Sequence, residues 1–208
     1  MSDLISFKTR IVNELCENAV KYKEYYVEKE YLLFSPELKN RKYYIISCKK
    51  DNFMHLTGLK YHSPSEFYNK CIDFSLNDSD IPDLSREEKG NIRRKIQSLP
   101  KMNGLFNFGV IIQEDFVKND VCCSIASTNL DITLGFCAPN DKNIVKPKTL
   151  LKGFKNIKDD APLSTLILER NVGEELFGKI LYGDKEQIYL YSLEELVTDE
   201  LKEKVLSR

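Results

Sequence analysis

Long apolar runs are missing from this chain of 208 residues. None approaches the roughly 20 consecutive apolar residues that a membrane-spanning helix needs, so no membrane is expected. The opening Met1-Ser2-Asp3-Leu4 has neither the basic segment nor the apolar core of a secretory signal, which points to the cytoplasm. Paired cysteines are missing too. Cys16, Cys48, Cys71, Cys122, Cys123 and Cys137 include no C-x-x-C, so a structural zinc site is not expected. Cys48, Cys122, Cys123 and Cys137 lie in apolar, strand-like runs and read as reduced core residues.

A charge excess is also absent. Thirty-one Lys and Arg meet 32 Asp and Glu, a net charge of −1. Indiscriminate nucleic-acid binding, driven by phosphate neutralisation, is therefore disfavoured. A local basic groove or a protein partner remains open. There is no glycine-rich phosphate loop, H-E-x-x-H, G-x-S-x-G or dinucleotide fingerprint. Asp78, Asp80 and Asp83 lack EF-hand spacing and its loop glycine, so they read as solvated loop acids. Neither metal nor cofactor is expected.

What is present is the pattern of an α+β domain, with an N-terminal helix and further helices packed on an antiparallel sheet. Phe7, Ile11, Val12, Leu15, Cys16, Ala19, Tyr22 and Tyr26 share one helical face over residues 6–27. Tyr31 to Phe34 is an edge strand or a docking turn. Ser63-Pro64-Ser65-Glu66 is a helix start in which Ser63 caps, Glu66 reaches back to the Ser63 N–H and proline takes the first position. Ser85-x-x-Glu88 opens a second helix to about Ser98, and Ser192-x-x-Glu195 a third whose apolar face runs through Val205. Leu105 to Ile112, Val121 to Ser127, Ile132 to Cys137, Leu163 to Leu168 and Ile188 to Tyr191 read as strands. Residues 140–143 read as a turn, and residues 174–181 as an ambiguous helix. One unit over residues 1–208 is expected, with the best alternative boundary near Pro100.

The centre of this pattern is Asn52-Phe53-Met54-His55-Leu56-Thr57-Gly58. It follows the apolar run Tyr43 to Cys48 across Lys49-Lys50-Asp51. Two such runs joined by polar residues read as a β-hairpin. Alternation would then set Phe53, His55 and Thr57 on one face with Tyr44, Ile46 and Cys48. An imidazole, a hydroxyl and a phenol would stand together, and histidine titrates near neutrality. The chain has two histidines. His55 is either an acid/base group or an imidazole fixed to backbone at the sheet surface. Arg86, Lys89 and Arg93, with Arg94 and Lys95 nearby, form either a solvated basic face or a strip for phosphates.

These residues resemble the phage-associated Barnase–EndoU–Colicin–RelE-like nuclease families, in particular the group with an N-F-x-H-L-x-G signature. The resemblance spans about residues 10–75. It implies helices packed on a four-stranded antiparallel sheet and a metal-independent ribonuclease of phage, toxin or conflict-system type. Cleavage would proceed by attack of the RNA 2′-hydroxyl on the adjacent phosphate. His55 would be the base or acid, with Thr57 and Tyr44 bonding phosphate oxygens. Lys49, Lys50, Lys60 or Arg93 would supply positive charge. Partners would be RNA, tRNA among the candidates, or a protein such as an antitoxin. The alternative is a non-catalytic protein- or RNA-binding regulator on the same scaffold.

Overall fold

The computed structural model describes residues 6–118, 121–139 and 143–203. Eight strands form one sheet in the order β3-β4-β5-β6-β2-β1-β7-β8. They are β1 Lys29–Phe34, β2 Tyr43–Ser47, β3 Ile111–Lys118, β4 Val121–Thr128, β5 Ile132–Cys137, β6 Ile144–Lys152, β7 Leu166–Asn171 and β8 Lys179–Tyr182. Neighbours pair antiparallel except β2 and β6, which run parallel through Ile45↔Ile144 and Ile46↔Val145. The α+β architecture is thus as expected, but the sheet has eight strands rather than the four that the resemblance implies, and one of its pairings is parallel. Tyr31 to Phe34 lies inside the sheet, between β2 and β7.

Four helices cover one face: α1 Phe7–Tyr22, α2 Asn52–Thr57, α3 Pro64–Ile72 and α4 Arg86–Ile96. The apolar stripe of α1 buries Ile11, Val12, Leu15, Cys16, Ala19 and Tyr22. It packs in one cluster with Leu33, Ile46, Ile112, Leu134 and Leu150 of the sheet. Ser6 caps α1 by accepting from the Thr9 N–H at 3.0 Å. Ser63 caps α3 but Glu66 turns to His62 at 2.8 Å rather than back to the Ser63 N–H, whereas Ser85 with Glu88 makes the full reciprocal capping box of α4. The serines at 63 and 85 act as anticipated because each supplies an acceptor to N–H groups that a helix start leaves unpaired. No helix among the described residues is long and apolar enough to cross a membrane.

The opposite face has a second cluster, built from Leu32, Phe34, Leu166, Leu168 and Phe177 with Ile188, Leu193 and Val197. Here the sequence reading needs correction. Ile188 to Tyr191 is not a strand: α5 spans Glu186–Leu190. Ser192 caps nothing, because its φ of 51° places it in a left-handed turn between short helices. The next turn is Glu194–Leu196 and α6 is Asp199–Glu203; Val205 lies outside the described residues. Ile188 and Leu193 meet the same cluster, so tertiary packing overrides the β propensity of Ile and Tyr. Residues 179–182 form β8 rather than a helix. Leu105–Asn107 is a 3₁₀ turn, and its strand begins only at Ile111. The turn expected at residues 140–143 falls largely outside the described residues. All six cysteines are free, but Cys122 is exposed and Cys137 half-buried, so neither is a core residue.

The largest correction concerns residues 52–58. They form helix α2, not the second arm of a hairpin. Strand β2 pairs instead with β1 and β6. The reason lies in the pattern. Phe53, Met54, Leu56 and Thr57 are all buried while His55 is exposed. Spacings of one, three and four describe a helical face, not a strand's alternation. The Asn52 side chain accepts the Lys49 N–H at 2.8 Å, tightening the turn into α2. Gly58, at φ 78°, ends the helix in the left-handed conformation that glycine adopts most readily.

Candidate active site

Helix α2 rests on β6 and against α1, α3 and α4. Its buried side chains fix its roll. Phe53 lies 5.2 Å from Tyr22 and 5.7 Å from Tyr68, ring centre to ring centre. With that face locked inside, His55 projects outward. It lines a hollow of about 410 Å³ together with Asn52, Cys137, Ala138, Pro139, Lys146, Pro147 and Lys148. Lys146 and Lys148 lie two residues apart on β6, where the pairing with β5 shifts register, and both face the hollow. Lys148 donates to the Cys122 carbonyl at 3.2 Å.

A third lysine reaches the same helix from α4. The Lys95 ammonium donates to the His55 carbonyl oxygen at 3.4 Å. Its stem crosses Gly58 so closely that an added Cβ there would stand 2.8 Å from Lys95 Cδ. Gly58 therefore has two local roles: it ends α2 and leaves room for the lysine. Burial holds the Lys95 ammonium below its ordinary pKa, and the nearby charge of Lys118 lowers it further. The result is an exposed imidazole on a helix whose neighbourhood carries Lys95, Lys146 and Lys148.

The residues expected beside His55 fare differently. Thr57 is fully buried, and its hydroxyl donates to the Met54 carbonyl at 2.8 Å while accepting the Leu59 N–H at 3.1 Å. It closes the helix end and cannot reach a substrate. Tyr44 is buried on β2, and its hydroxyl donates to Glu114 at 2.6 Å. Burial and then that carboxylate push its pKa well above that of free tyrosine, so it stays a neutral phenol. It lines a separate hollow with Arg41, Asp115 and Ser124. The common strand face of Tyr44, His55 and Thr57 is thus overturned, because two of the three belong to a helix.

Lys49 and Lys50 are exposed just ahead of α2. Lys60 lines another hollow with Asp83 and Glu88. Arg93 lies 5.5 Å from the Phe7 ring centre and lines a cleft with Arg10 and Glu14. Neither Lys60 nor Arg93 lines the His55 hollow. The second histidine, His62, is engaged by Glu66 at 2.8 Å. Lys95, Lys146 and Lys148 were missed as site residues, although Lys95 had been noted on the basic face of its helix. Lys146 and Lys148 flank Pro147 in a strand joined in parallel to β2, and no local spacing announces that pairing.

Asp80 accepts from Lys70 at 2.6 Å and Asp83 from Lys8 at 2.9 Å; these loop acids are held in ion pairs. Among the described residues no group of three or more His, Cys, Asp or Glu is placed to hold a metal ion. What the hollow offers is one titratable imidazole among lysines, a set suited to proton transfer beside a phosphate.

A basic hollow next to a histidine on this α+β scaffold has the character of a nuclease. Residues 14–175 match the model of the family described as phage-Barnase-EndoU-ColicinE5/D-RelE like nuclease4. That stretch covers most of the chain, and the chain belongs to this family. No curated protein and no solved structure matches it.

Proposed function

We propose that the protein is a metal-independent ribonuclease of the phage, toxin or conflict-system kind, acting in the cytoplasm at the His55 hollow. RNA, with tRNA among the candidates, is the substrate, and a protein such as an antitoxin is the regulatory partner. The observation that carries this reading is the outward projection of His55 among Lys95, Lys146 and Lys148. In the reaction the 2′-oxygen bonds to phosphorus and the bond to the 5′-oxygen breaks. His55 takes the 2′ proton or supplies the one that the departing 5′-oxygen needs, and solvent water makes the other of these two transfers. Lys146, Lys148 and Lys95 offset the negative charge that builds on the phosphate oxygens. Lys49 and Lys50, ahead of Asn52, extend the positive surface. The chemistry requires no metal ion.

A second reading is favoured by the internal engagement of Thr57 and Tyr44, which leaves His55 the one exposed group of that trio. On it the protein binds RNA or another protein without cutting. Cleavage of RNA by the wild type and by His55→Ala, both in EDTA, separates the two. Cutting that depends on His55 supports the nuclease, and binding without cutting supports the regulator.

A further inference from the structure

A second hollow, of about 510 Å³, adjoins the first. Both are lined by Ala138, just past the end of β5, so the two meet at that residue. Lys39 and Arg41 bring cations to the second hollow, Asp115 a carboxylate and Ser124 a hydroxyl, while buried Tyr44 also lines it. Its volume falls in the range of small-ligand sites. The mixture of cations with neutral and anionic acceptors suits a phosphodiester carrying a polar base, and suits a purely apolar ligand poorly.

The loop that brings the cations is held in place before any ligand arrives. Glu114 accepts the Lys39 N–H at 2.7 Å, the Asn40 N–H at 3.1 Å and the Tyr44 hydroxyl at 2.6 Å. Asn40 also donates from its side chain to Asp115 at 3.0 Å. Adjacent residues of a regular strand point to opposite faces, yet Asn40 touches both Glu114 and Asp115. Asp115 has φ 50°, and this departure from strand geometry brings the two carboxylates to one side. Glu114 is occupied by the loop, whereas Asp115 is exposed and keeps acceptor capacity toward the hollow.

We infer that the Tyr44 hollow is a nucleotide subsite, taking the residue of a single-stranded RNA next to the one whose phosphate lies at His55. This rests on the nuclease reading for its direction, but the binding site stands on its own. Lys39 and Arg41 meet the next phosphate, and Asp115 and Ser124 meet sugar or base. Tyr44 serves as a rigid wall rather than a reacting group. The strand passes over Ala138, the residue both hollows share.

Affinity for uncleavable 2′-O-methyl oligonucleotides tests the inference, measured on the full chain by fluorescence anisotropy with di-, tri- and tetranucleotides. In the wild type the step that fills the second hollow should tighten binding about tenfold, the ratio given by roughly 1.4 kcal/mol. Lys39→Glu reverses an exposed charge, and Ser124→Phe fills the hollow. Each should abolish that gain with length, and far-UV circular dichroism will show that each variant is folded. A length gain that persists in both folded variants would overturn the subsite, as would a wild type with no gain or no binding at any length. If the wild type binds with the expected gain but cuts no RNA, the subsite stands and the nuclease reading falls.

Discussion

The Lys95 ammonium lies 3.4 Å from the carbonyl oxygen of His55, forty positions earlier in the chain. That contact joins α4 to α2. It sets a half-buried cation against the backbone of the residue that bears the imidazole, and Gly58 leaves room for its stem.

Gly58→Ala tests the link. A left-handed alanine costs about 1–2 kcal/mol, and its Cβ would meet the Lys95 stem at 2.8 Å. The expected outcome is a melting temperature lower by a few degrees, the shift that such a loss gives in a domain of this size. RNA affinity should also fall, because the lysine is displaced. A variant with unchanged affinity would show that Lys95 is not held by this glycine for binding.

Lys95→Met keeps much of the stem and removes the charge. RNA affinity should fall, and the slope of log affinity against log salt should become shallower by about 0.7 for a single strand, the value expected for one lost phosphate contact. Equilibrium titrations at several salt concentrations measure this. An unaltered slope would remove Lys95 from the interface.

Thr57→Val should act on stability. The buried hydroxyl bonds both Met54 and Leu59, and leaving such partners unmet costs about 1–3 kcal/mol. Thr57→Ser keeps the hydroxyl and should recover much of the loss. Denaturant unfolding decides the matter. A stable Thr57→Val that loses only cleavage would return Thr57 to a catalytic role.

Acid should loosen the segment after α3. The hydrogen bond from Lys70 holds the Asp80 carboxyl below the usual carboxylate range. A folded-state pKa below the unfolded one gives stability that is present above about pH 4, the ordinary aspartate value. It is lost as pH falls through the depressed folded value. Asp80→Asn should therefore destabilise at pH 7 and flatten the acid limb of the stability curve. Thermal melts from pH 7 down to pH 2 measure both effects, and an acid limb identical to the wild type would contradict the assignment.

How much of this was legible in the sequence depends on whether the signal was local. Ser63 and Ser85 mark helix starts because capping needs only neighbouring residues. The runs at Val121 and Ile132 declare antiparallel strands for the same reason. Residues 52–58 misled because a short apolar run fits a strand or a helix. Gly58 and the paired burial of Phe53 with Met54 decide for the helix only once the neighbours are known. His55 could be picked as a candidate because imidazoles are scarce in this chain. Its lysines could not, since they come from α4 and from a strand joined in parallel to β2. Tyr44 was misassigned because its partner, Glu114, lies 70 positions away.

The central claim is that His55 moves a proton in a reaction that needs no metal. The most direct measurement is single-turnover cleavage of RNA in EDTA by the wild type, beside His55→Ala of matched melting temperature. Wild-type cleavage should survive chelation and yield a 2′,3′-cyclic phosphate. The variant should be slower by about 10²–10⁴-fold, the usual contribution of a catalytic acid or base. Its exposed side chain should cost little stability. Equal cleavage by the two proteins, or activity that vanishes in EDTA and returns with Mg²⁺ or Mn²⁺, would contradict the account.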